Sequence, residues 1–146
     1  MIVAALSGRV MRLILVGAAV GFVTLGLVGR IAMFGFAEFT DRPTAWTLTG
    51  TVNVGLAGAI AGAIAAVLYV LIERWFLPRA PTIVRGLAFG ALVFLVASPG
   101  IRPPWLLTFA LFTPAFLLYG VMFVAIVVRF SKREPVVAAP GNTEVT

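Results

Sequence analysis

The chain has 146 residues, enough for one small domain, of which 62% are hydrophobic and 11% charged. A water-soluble domain carries roughly 45–50% apolar and about 25% charged residues. Eleven basic and five acidic side chains would barely coat a soluble fold of this size, whereas a bilayer needs charge only at its two faces. The absence of cysteine excludes disulfides and thiolate metal sites, and the absence of histidine removes the usual haem ligand and the commonest zinc ligand. No metal and no cofactor are expected. The net charge of +6 forms no stripe or motif that reads nucleic acid, so the lipid bilayer is the expected partner of the basic residues.

The first apolar run follows Arg9 and Arg12 and covers 17 uncharged residues, 13–29; it extends to 37 if Arg30 is tolerated within it. Arg9 and Arg12 before an apolar run, with Gly35-Phe36-Ala37 after it, also fit a secretory signal and its cleavage site. The run exceeds the usual length of such a signal and Arg30 precedes the cleavage site, so it is read as an uncleaved span over 13–37. Gly17 and Gly21 put small side chains on one face of that helix.

The second uncharged run is 30 residues long, 43–72, and contains a span over 48–72. Gly58, Gly62 and Ala66 recur every four residues, with Ala57, Ala61 and Ala65 on the adjacent ridge. Small residues at this spacing let helix backbones approach closely, which matters in lipid, where no hydrophobic effect drives helices together. The stripe is broad enough for generic packing within the chain or for a seam between copies.

The third run is short, with 16 uncharged residues from Gly86 to Ile101. A span over 83–97 begins after Pro81 and stops at Ser98-Pro99-Gly100. Sixteen helical residues reach only about 24 Å against a core of roughly 30 Å. Arg85 snorkelling to the cytoplasmic face would let it cross, and a re-entrant segment is the alternative. Gly86 and Gly90 are its packing positions. The fourth run, 26 residues over 103–128, gives a span over 105–128 that Pro103 and Pro104 open and Pro114 interrupts. The tail, 131–146, is polar and is expected to be disordered and cytoplasmic.

These runs give an all-α fold: a four-transmembrane-helix bundle over 1–130 with both termini in the cytoplasm. In that arrangement eight basic residues (Arg9, Arg12, Arg74, Arg79, Arg85, Arg129, Lys132 and Arg133) lie inside, and only Arg42 and Arg102 lie outside. Trp46 and Trp105 fall at the outer interface and Trp75 at the inner one.

Arg30 is the sharpest single feature. Seven residues before the end of its span, it sits about 10 Å below the outer surface. A charge at mid-bilayer costs at least roughly 2.5–3.5 kcal/mol, so such a residue faces the bundle interior and takes partners. Depth alone gathers Thr51, Asn53, Thr108 and Thr113 into the same outer half, with Asn53 about 7 Å deep, and Asp41 as the carboxylate best able to fold back. The arginine is then either structural, or the centre of an anion or lipid-headgroup site opening outward, or, with the first helix ending near Gly29, a residue at an interface.

Other chemistry has little support. The five acidic residues lie at span ends, in a loop or in the tail, away from any proton relay within the membrane. Ser7, Ser98 and Ser131 are the only serines, lying in the N-terminal segment, at a helix stop and at the start of the tail, and no phosphate-cradling glycine loop is present. The reading is a non-enzymatic membrane protein that associates with its own copies or with another membrane protein, the alternative being a small-solute or lipid-handling protein in which Arg30 recognises an anionic group.

Gly29-Arg30, Ala32-Met33, Leu48-Thr49-Gly50-Thr51, Tyr69, Arg74-Trp75 with Pro78, and Arg85-Gly86-Leu87 resemble a group of small bacterial multi-pass membrane proteins of unknown function. The likeness covers about residues 15–90. It implies a four-helix fold in a bacterial inner membrane and brings no activity. Where members of that group read Ala-Met-Arg, this chain has Ala32-Met33-Phe34, so a site built on a second arginine would be lost here.

Overall fold

An apolar run must satisfy its own backbone N–H and C=O groups, and here each run does so as a helix. The computed structural model describes residues 2–40, 46–76, 79–98 and 105–133, apart from the side chains of residues 2–7, Trp105 and Arg133. Asp41, Arg42, Pro78, Pro99, Gly100, Arg102, Pro103, Pro104 and the tail 134–146 lie outside the described residues.

Helix α1 (Ile2–Gly21) runs through a π-helical stretch (Phe22–Val28) into α2 (Gly29–Phe39). Then come α3 (Leu48–Ile72), α4 (Thr82–Ala97) and α5 (Trp105–Arg133). No strand occurs among the described residues. Three segments are long and apolar enough to cross a membrane: Gly8–Phe39, Leu48–Ile72 and Leu106–Lys132. The fourth apolar helix, α4, has 16 residues.

Two expectations on extent change. The expected tail begins inside α5, because Ser131, Lys132 and Arg133 continue the helix; the first residue in sequence that would end one is Pro135. Pro114 lies inside α5 without terminating it. The first span is not uniform α-helix either. Fully buried Thr24 donates its hydroxyl to Val20 O at 2.8 Å within the π-helical stretch. A π turn takes one more residue than an α turn, so Gly26, five residues after Gly21, returns to nearly the same face.

That face packs antiparallel against α3. A Cβ on Gly17 would lie 2.6 Å from Ala66 Cβ, one on Gly21 would lie 2.8 Å from Gly62 Cα, and one on Gly26 would lie 2.7 Å from Gly55 Cα. From the other side, a Cβ on Gly58 would fall 2.7 Å from Gly21 O and 2.8 Å from Gly26 Cα, and Gly62 meets Gly17 and Gly21 in the same way. The glycines of α3 are therefore taken up inside the chain, and a seam between copies would have to use other residues. Helices α4 and α5 form a second antiparallel pair. A Cβ on Gly86 would sit 2.6 Å from Val121 Cα, and one on Gly90 would sit 2.8 Å from Leu117 Cα.

Rings join the two pairs. Tyr69 of α3 meets Phe89 of α4 at 5.0 Å and Phe123 of α5 at 5.4 Å, both edge to face. Tyr119 and Phe123 stack at 5.7 Å. Around this centre the interior is largely glycine, alanine and aromatic residues, while the outside carries Leu15, Ile31, Ile60, Ile64, Leu71, Leu95 and Val96, each more than 60% exposed. Water-soluble bundles do the reverse, burying their large aliphatic side chains.

Candidate functional site

Arg30 follows Gly26 by one helical turn and so continues the glycine face toward α3. Gly50 makes room for it: a Cβ on Gly50 would stand 3.3 Å from Arg30 Nη2. The guanidinium carbon lies 5.5 Å from the centre of the Trp46 ring, within cation–π range. Phe34 holds that ring edge to face at 6.2 Å. Immediately after Trp46, Thr47 caps α3, its Oγ1 accepting from Gly50 N–H at 3.1 Å. The half-buried cation thus stands at the amino end of α3, where the helix dipole adds positive potential.

The residues grouped by depth do not all come to this place. Thr51 is one turn into α3 and donates its hydroxyl to Thr47 O at 3.0 Å. Asn53 points outward, in line with exposed Val52 and Leu56, because five residues separate it from Gly58 and place it about 140° around the helix. Thr108 and Thr113 are half-buried on α5, which packs against α2 near Gly35 and Leu111. The proposed carboxylate partner Asp41 is outside the described residues. Trp46, Thr47 and Gly50 are the neighbours that depth ranking missed; a threonine directly before an apolar helix was the available signal for the cap.

At the opposite end, the starts of α1 and α4 meet the ends of α3 and α5. Arg9 donates from Nη2 to both carboxylate oxygens of Glu73, at 2.9 and 3.0 Å. Arg85 does not turn to the surface as the sequence suggested. It lies half-buried and donates from Nη2 to the hydroxyl of fully buried Tyr69 at 2.9 Å. Its Nε is buried and makes no hydrogen bond. Tyr119, also fully buried, donates to Gly62 O at 2.8 Å. These two tyrosine hydrogen bonds tie α3 to α4 and to α5.

No protein-family model, curated protein or solved structure matches this chain. Among the described residues no group of three or more His, Cys, Asp or Glu side chains is placed to hold a metal ion.

Proposed function

We propose that this chain is a four-span integral membrane protein, with both ends on the cytoplasmic side, that works by association rather than catalysis. The inverted packing carries the reading: small and aromatic residues inside, large aliphatic side chains outside, on three helices long enough to cross. In water that exterior would be an aggregation surface, and in lipid it costs nothing. The orientation is supported by charge. Arg9, Arg12, Arg74, Arg79, Arg85, Arg129 and Lys132 belong to the end where α1 and α4 start and α3 and α5 finish, and Arg30 alone among the described cations stands toward the other. A bacterial plasma membrane is proposed on the sequence resemblance alone.

Association is assigned to the outer ridge of α3. Ala57 and Ala61 remain exposed beside Ile60 and Ile64, so a neighbouring helix from a second copy or another membrane protein can approach there. Light scattering of the detergent-solubilised chain tests this. Ala61→Phe should move an assembled species toward monomer without altering the fold; a wild-type chain that is strictly monomeric in detergent and in bilayer discs would overturn it.

A second reading rests on Arg30 against Trp46 at the amino end of α3, where two sources of positive potential meet. It makes this end a recognition point for an anionic solute or headgroup. Arg30→Gln should abolish anion binding while leaving insertion and oligomeric state intact; unchanged binding would remove the reading.

A further inference from the structure

A cavity of about 380 Å³ opens between α1 and α5 at the arginine-rich end, within the roughly 300–1,000 Å³ range of small-ligand sites. Buried Leu13 and Val127 line it, with Phe130 and Val16, and Arg9, Arg12 and Ser131 are its polar lining residues. We propose that it binds one anionic phospholipid, the headgroup phosphate against Arg9 and Arg12 and the start of an acyl chain along Phe130 and Val127. This inference rests on the membrane reading above.

Charge complementarity and position argue for that occupant. Arg9 is bound to Glu73 through Nη2, and in the sequence the segments at this end carry eight basic residues against Glu73, Glu134 and Glu144. The surplus positive potential lies at the level of a headgroup layer, where a cation favours anionic over neutral lipid. Walls of apolar side chains running down from the arginines suit a molecule that is anionic at one end and hydrocarbon beyond, and suit a free anion poorly. The outward faces of Leu15 and Phe130, both more than half exposed, leave the groove open sideways to the bilayer, the route by which a lipid enters.

The test is native mass spectrometry of the full chain released from discs containing equal phosphatidylglycerol and phosphatidylcholine. One phosphatidylglycerol should be retained in preference to phosphatidylcholine, and Arg12→Gln should cut that retention about fivefold, as expected for one interfacial cation. Arg79→Gln, at the same end but outside the cavity, should leave it unchanged. A phosphatidylglycerol with a photoreactive acyl chain should label the peptide that contains Val127 and Phe130. Equal retention of both lipids, equal loss in the two variants, or labelling elsewhere only would overturn the site. Displacement by inorganic phosphate but not by chloride of the same ionic strength would assign the cavity to a free anion and also overturn it. Failure of the chain to enter discs at all would instead strike the membrane reading, so the two failures are distinguishable.

Discussion

The Tyr119 hydroxyl donates to Gly62 O at 2.8 Å, a hydrogen bond from α5 to the backbone of α3 with both partners buried. The missing side chain of the same glycine lets α1 lie against α3. One position thereby serves two interfaces. Tyr119→Phe removes the bond and keeps the ring stack on Phe123. Its cost should be about 0.5–1 kcal/mol, as for one neutral hydrogen bond within a membrane bundle. Unfolding in mixed micelles measures it.

Tyr69→Phe should cost more, about 1.5–3 kcal/mol, because the lost bond is to a cation. Arg85 already has a buried Nε without a hydrogen bond, and the variant would also take the acceptor of its Nη2. The same unfolding assay gives the ranking, with Tyr69→Phe below Tyr119→Phe in stability. Arg85→Met with Tyr69→Phe should recover part of the loss, since no charge is then left behind.

Gly58→Ala and Gly29→Ala should part in sign. A methyl group on Gly58 would collide with backbone atoms of Gly21 and Gly26, which have no flexible end to move aside. The helix pair must separate, at about 1–3 kcal/mol or more. Gly29 has nothing within 4 Å of its Cβ position and helical angles of −60° and −34°. Alanine there should be neutral or stabilising by up to about 1 kcal/mol. Thermal melts in detergent separate the two.

Glu73→Gln should change stability by less than about 1 kcal/mol, since the ion pair with Arg9 is exposed at the bundle end. If the cavity beside Arg9 holds an anionic lipid, the same change should raise lipid retention, because a competing carboxylate charge is gone. The two readouts move independently.

Much of the architecture was legible because the apolar runs are long and uncharged. The span over 48–72 coincides with α3, and the four-residue glycine spacing identified positions that do meet a neighbouring helix. Face was harder to read than depth. Depth puts Asn53 and Arg30 in the same half, but Asn53 lies on the outer side of α3, and only knowing that Gly58 faces α1 fixes this. The π-helical stretch was missed because its signal is a single extra residue between Gly21 and Gly26 in an otherwise regular series. Arg85 was placed at the surface because snorkelling is the general habit of arginine near a helix end. Its acceptor, Tyr69, is 16 residues away and comes within reach only when α3 and α4 fold together.

Since the chain has no cysteine, single cysteines can report what surrounds the bundle. Ile60 is 62% exposed on the flank of α3, Thr47 is at one end of the bundle and Ser131 at the other. In sealed right-side-out vesicles a membrane-impermeant maleimide should label Thr47→Cys from outside and Ser131→Cys only after permeabilisation. Ile60→Cys should stay unlabelled in both conditions and react only in denaturant, because hydrocarbon covers it. Labelling of Ile60→Cys as fast as Thr47→Cys would mean that water touches this flank, and the account of the chain as a lipid-embedded bundle would fall.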